Sequence, residues 1–295
     1  MAMPKDIRVV DTFLDLPYKK EVTPLTTRFE GLRDADAKAG SHEHPAGYLF
    51  KDGPQGRHRG ADPISDTLRE MDKYNIEFAQ VSVQTLDDPV VNEALTKHRG
   101  RFIGAYTPDP NKGMEAVRDI VRAKEQLDIV SISLFPAGFN PQVPINDKRM
   151  YPIYAKCIEL DIAVFCTSGI PGPRLPYECQ YTGLVDEVCW FFPDLRFVFR
   201  HGCDPWADLA VKLLLKWPNL YYSTSAFAPK HYPKEIIEFA NKRGADKIIY
   251  AGYYPSGLSL DRIFGEMPAV PFKDEVWPKF LRENAMKVLK LEGRR

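Results

Sequence analysis

Eight short runs rich in Val, Ile, Phe and Tyr recur along the chain, and between most of them apolar residues return at helical spacing. The runs are 7–11, 78–83, 101–106, 129–135, 162–167, 196–201, 220–225 and 247–252. Several lack apolar–polar alternation, as strands buried on both faces do in parallel sheets. Between them, Leu209, Ala210, Leu213 and Leu214 form one apolar stripe, Ile236, Ile237 and Ala240 another, and Leu184, Val185, Val188 and Trp190 a further group. Gly244 is placed to cap the helix that precedes the last run. Strands alternating with helices leave two architectures, a closed barrel or an open doubly wound sheet. The count of eight favours an α/β fold of the (β/α)8 TIM barrel type, and no GxGxxG loop follows the first run. At 295 residues the chain suits one such barrel domain spanning 1–295.

The exception to the alternation is 17–63, too long and too polar for a plain strand-to-helix loop. Such segments, when ordered, are usually lids or binding loops. It follows the first strand, which places it on the C-terminal face of a barrel, where substrates bind. We expect a lid there.

Composition excludes several function classes. Hydrophobic residues at 44% and charged residues at 27% promise an ordinary core rather than disorder. Lys plus Arg balance Asp plus Glu, 40 against 40, so no overall field draws the chain to nucleic acid or an anionic membrane. No apolar run approaches a membrane helix, and the first residues lack a signal-peptide core. The five cysteines, Cys157, Cys166, Cys179, Cys189 and Cys203, are an odd set without CxxC spacing, expected as buried reduced thiols in a cytoplasmic protein.

In a barrel the residues at and just past the strand ends converge on one pocket. These are Asp11, Phe13 and Asp15; Ser133; Cys166, Thr167, Ser168 and then Arg174; Arg200, His201 and Trp206; Ser223 and Ser225; Tyr253 and Tyr254. Each has a plainer reading beside the functional one. His201 could be a satisfied structural histidine, Asp15 a turn cap, Tyr253 a core aromatic, and Arg174 a surface ion-pair partner rather than a bidentate carboxylate anchor. Ser223 and Ser225 have no GxSxG elbow, so a serine hydrolase is a poor fit. Lys230 and His231 read as surface residues by default.

VVDTFLDLP, TSGIPGPR, FVFRHGCDPW, NLYYSTSAFAPKHYP and GADKIIYAGYYP occur in that order. Together they resemble the amidohydrolase-related family, in the branch of aminocarboxymuconate-semialdehyde decarboxylase and γ-resorcylate decarboxylase, over essentially the whole chain. The resemblance implies a barrel, a small-molecule substrate and a divalent metal held by Asp-x-His-x-His after strand one, a histidine after strand five and an aspartate after strand eight. Here those positions hold Phe13 and Asp15, Thr167, and Tyr253. Phe cannot ligate, and Thr and neutral Tyr are poor zinc ligands. The family's strand-six acid/base histidine matches His201, which is kept.

The reading is a metal-independent hydrolase or lyase acting on a small carboxylated or carbonyl-bearing, aromatic or cyclic substrate, with no cofactor. His201 is the expected general acid/base, Tyr253 the donor to a developing oxyanion, and Asp15 the residue that orients water or His201. Arg174, Thr167, Phe13, Trp206 and Tyr254 are the expected substrate contacts. Two alternatives stay open: a non-catalytic ligand-binding barrel, and a metal hydrolase whose ligands have moved to His42, His44 and His58. A homodimer is also expected, from the apolar stripe Val276, Phe280 and Leu281 in 275–291; that stripe could equally pack on its own barrel.

Overall fold

The β-rich runs become strands because their side chains are buried on both faces. In the computed structural model, which describes residues 3–16, 46–49 and 62–294, the strands are β1 (Val9–Asp11), β2 (Ile76–Val83), β3 (Phe102–Tyr106), β4 (Ser131–Leu134), β5 (Ala163–Thr167), β6 (Phe197–Arg200), β7 (Leu220–Ser223) and β8 (Ile248–Ile249). They pair in parallel in sequence order, β1 through β8. The ends β8 and β1 meet through hydrogen bonds rather than a long ladder. Thr12 donates to the Tyr250 carbonyl through both its N–H (3.3 Å) and its hydroxyl (2.8 Å). Asp15 N–H donates to the Tyr254 carbonyl at 2.8 Å, and Leu14 and Tyr254 form a parallel bridge. The result is a closed (β/α)8 barrel.

Helices fill the connections: α1 (Pro63–Lys73), α2 (Pro89–Lys97), α3 (Met114–Leu127), α4 (Tyr151–Glu159), α5 (Val185–Phe191), α6 (Ala207–Lys216), α7 (Lys234–Phe239) and α8 (Leu260–Glu266). The pairs Asp62–Pro63 and Asp88–Pro89 start α1 and α2: each Asp accepts from backbone N–H groups of the first turn, while Pro takes the position that needs no donor. The stripe on α6 is as expected, with Ala210, Leu213 and Leu214 buried. The group on α5 is not: Val185 and Val188 are buried, but Trp190 is 71% exposed, because a seven-residue helix shows the sheet only one narrow face.

Two core layers result. Val10, Phe78, Ile103, Val130, Ala163, Phe165, Val198, Tyr221 and Ile249 fill the barrel interior, and Ala285, Val288, Leu289 and Leu291 close its bottom. The second layer lies between strands and helices. Val276, Phe280 and Leu281 are fully buried in it, so the C-terminal stripe packs on its own barrel and offers no face for a homodimer. Gly244 is also not the expected left-handed cap. It ends a π turn (Ala240–Gly244), and a Cβ there would stand 2.2 Å from the ring of Phe239, so close packing is what requires glycine. All five cysteines are free and buried. Among the described residues no helix is long and apolar enough to cross a membrane.

Candidate active site

The C-terminal ends of β1, β6 and β8 bring three rings together. Phe13 stacks on Tyr253 with centroids 5.2 Å apart. His201 meets both edge-on, at 5.3 Å from Phe13 and 5.4 Å from Tyr253. The sequence placed His201 inside the sixth strand, but β6 ends at Arg200 and His201 begins a tight turn. Three consecutive residues there are left-handed: His201 (φ 60°), Gly202 (φ 85°) and Cys203 (φ 56°). Non-glycine residues hold that conformation at a cost of about 1–3 kcal/mol each, and such strain collects at functional sites.

The turn is fixed by a residue just past β7. Ser225, fully buried, lies 3.0 Å from His201 Nδ1, and its hydroxyl accepts from the His201 N–H at 3.2 Å. This tie orients the imidazole through one nitrogen, the arrangement an acid/base histidine needs to present the other. Ser225 carried little weight in the sequence, because its role depends on a neighbour 24 residues away.

Asp15 lies on the same mouth, where its Oδ1 accepts from the Ser82 N–H on β2 at 2.7 Å. Arg200, the residue before His201, points inward. Its guanidinium carbon sits 4.1 Å from the Phe13 ring centre, and its Nη1 donates to the Ser133 hydroxyl of β4. Burial pushes its pKa down to about 10, against the opposing field of Asp15. Thr167 pairs with Arg200 in the sheet register and is buried beside it. The sequence placed Arg200 among the residues at the strand ends but assigned it no role; it alternates with Val198, which faces the barrel interior.

The remaining candidates lie apart. Trp206 packs in the rim, 4.9 Å from Tyr181 and 5.3 Å from Tyr177. Tyr254 faces α1: burial, followed by the fields of Glu70 and Asp66 there, raises its pKa. Arg174 is exposed and lies over the Tyr48 ring at 4.5 Å, while the Tyr48 hydroxyl donates to the Gly172 carbonyl at 2.7 Å. The described part of the expected lid therefore touches the loop after β5; most of 17–63, with His42, His44 and His58, lies outside the described residues.

The described donors do not fit the metal that the resemblance implies. Among the described residues no group of three His, Cys, Asp or Glu could hold an ion. Two stacked aromatic rings and a buried guanidinium fill the strand ends, and an arginine cation opposes a second positive charge at close range.

A family model described as Amidohydrolase (Amidohydro_2) matches residues 26–291. A 2-keto-4-carboxy-3-hexenedioate hydratase from Sphingobium sp. is 27% identical over 101 residues, a match spanning 30% of this chain and 30% of the hydratase. An uncharacterized TIM-barrel protein from Bordetella bronchiseptica superposes with a TM-score of 0.75 at 21% identity, over 97% of this chain and 99% of that one. A 5-carboxyvanillate decarboxylase from Novosphingobium aromaticivorans, complexed with manganese and 4-hydroxy-3-methoxy-5-nitrobenzoic acid, gives 0.68 at 15% identity, over 97% of each chain.

Proposed function

The chain belongs to this Amidohydrolase family, as a hydrolase or lyase, and from that premise we propose a metal-independent lyase that adds or removes a small group beside a carboxylate, with His201 as general acid/base. The observation that carries the reading is the meeting of His201, Tyr253 and Phe13 at the strand ends, with the His201 ring tied to Ser225. The hydratase and the decarboxylase among the similar proteins are both lyases acting on carboxylated molecules by their names. Both reactions need a proton placed on, or taken from, an atom next to a carbonyl or carboxyl group.

The roles follow from position. Phe13 and Tyr253 form an apolar wall that keeps water away from an unsaturated or aromatic substrate. The Tyr253 hydroxyl donates to the oxygen on which charge develops, and a positioned donor of this kind is worth about 3 kcal/mol. Asp15, held by Ser82, polarises water or the imidazole. Of the segment expected as a lid, the described residues include Tyr48, whose hydroxyl donates to the Gly172 carbonyl after β5, on the C-terminal side. The five free, buried thiols suit a cytoplasmic setting.

The test is turnover of a panel of unsaturated and aromatic mono- and dicarboxylates, in metal-chelated buffer, by the wild-type protein and His201→Asn. Positioned proton transfer contributes 10²–10⁴-fold, so the variant is expected to lose about that much rate while keeping its melting temperature. Equal rates in the two proteins would leave the non-catalytic binding barrel in place of an enzyme.

A further inference from the structure

The barrel interior beneath the three rings carries polar atoms that the fold leaves without protein partners. Arg200 Nε, both amide atoms of Gln80 and Ser131 Oγ are buried and make no hydrogen bond. The side chains are 4%, 2% and 0% exposed. All three point inward. Arg200 reaches Ser133, Phe165 and Phe13 on other strands. Gln80 alternates with Phe78, an interior residue, and Ser131 shares a rung with Ala163, another. Native interiors seldom leave such polar atoms without a hydrogen bond, and a guanidinium edge is among the more costly to leave so. Fold stability gives no reason to place a guanidinium here: an aliphatic residue of the same length would pack against Phe13 and Phe165 without desolvating a charge.

We propose that Arg200 is the anion anchor of this site: its guanidinium receives a carboxylate of the substrate and supplies, from the chain itself, the fixed positive charge for which the resemblance implies a metal. The inference rests on the lyase reading and deepens it. A planar fork with one edge committed to Ser133 leaves its Nε edge for a carboxylate, which guanidinium binds through parallel hydrogen bonds. One cation opposite Asp15 suits a monoanionic group; a dianionic phosphate would add repulsion that Arg200 alone does not offset. Arg200 thus takes the carboxylate-anchoring role expected of Arg174, which stands exposed over Tyr48. Phe13 lies against both the Arg200 guanidinium and the His201 ring, so a carboxylate bound to Arg200 is held near the acid/base.

The experiment is binding, independent of turnover. Benzoate is titrated by calorimetry into the wild-type protein, Arg200→Lys, Arg200→Met and Arg174→Gln, with benzyl alcohol and inorganic phosphate as controls. The wild type is expected to bind benzoate at least tenfold more tightly than either control. Arg200→Lys, which keeps the charge but loses the fork, is expected to weaken benzoate at least tenfold, and Arg200→Met to abolish the preference over benzyl alcohol. If neither Arg200 variant folds, the wild type still decides, because the Arg200 Nε–H resonance of ¹⁵N-arginine-labelled protein should move downfield on benzoate titration. Benzoate binding unchanged in Arg200→Lys and Arg200→Met, a larger loss in Arg174→Gln, no benzoate binding by the wild type, or a static Nε–H resonance overturns the assignment. Arg200-dependent binding with no turnover of any carboxylate would instead sink the lyase reading and leave the anchor standing. His201-dependent turnover with Arg200-independent binding would do the reverse.

Discussion

Asp11 closes the barrel between β1 and β8, and replacing it by Asn should make the protein more stable at neutral pH. Its Oδ1 accepts from the N–H groups of Phe13 (2.9 Å) and Gly252 (2.8 Å). Its Oδ2 faces the Tyr250 hydroxyl in a fully buried space, 2.6 Å from where a Cβ on Gly252 would stand. Burial raises its pKa from 3.8 to about 6, against the lowering effect of the two backbone donors and Tyr250. A carboxyl whose pKa is higher in the folded state stabilises the fold when protonated. That contribution is complete below pH 3.8 and is lost as pH rises through about 6. The difference between those values corresponds to about 3 kcal/mol. Asn keeps the oxygen that accepts from Phe13 and Gly252, presents an amide N–H₂ to Tyr250, and never ionises. Urea unfolding of both proteins from pH 4 to pH 8 is the assay. The two stabilities should nearly coincide at pH 4, and Asp11→Asn should gain progressively, by up to about 3 kcal/mol at pH 8. A stability difference that stays flat with pH, or an Asn variant weaker at pH 8, refutes the argument that this carboxylate is an uncompensated buried charge.

Tyr253→Phe keeps the stack on Phe13 and removes only a hydroxyl; it should cost on the order of 10²-fold in kcat if that hydroxyl stabilises developing charge, and an unchanged kcat on a turned-over carboxylate removes Tyr253 from the chemistry. Gly202→Ala should destabilise by about 3 kcal/mol, because φ is +85° and the new Cβ would stand 2.3 Å from the Phe227 ring; thermal unfolding matching wild type would show that the turn holding His201 is freely adaptable. The purified protein should carry no stoichiometric divalent metal, given Phe13, Tyr253 and Arg200 at the strand ends; about one tightly held manganese or zinc per chain by elemental analysis would contradict this.

The strands could be located in the sequence because parallel barrel strands are buried on both faces and therefore read as continuous apolar runs. Their ends could not: 247–252 was expected as a strand, yet only Ile248–Ile249 pair, because closure onto β1 passes to single hydrogen bonds at Thr12 and Asp15. Trp190 and the C-terminal stripe show the same limit from the other side. Periodicity marks an apolar face but does not say what lies opposite it, so Trp190 proved exposed while Phe280 proved buried in its own barrel.

The site divides in the same way. His201 and Tyr253 were legible because strand ends in a barrel must converge, a consequence of fold class alone. The roles of Arg200, Ser225 and Ser133, which the same argument places at the strand ends, were not legible, since each acquires its meaning from a partner elsewhere in the barrel: Arg200 from Phe13 and Ser133, and Ser225 from the His201 ring. Tyr254 adjoins Tyr253 in the chain, yet successive side chains on extended backbone point to opposite faces, and it faces Glu70 and Asp66 of α1. The sequence by itself determined a (β/α)8 barrel with a histidine at its mouth, because burial periodicity and strand count are local properties of the chain. Only the tertiary structure decided that a buried arginine stands beneath that histidine with an edge left unpaired, because partnership between side chains on different strands is set by barrel closure and register, which no stretch of sequence contains.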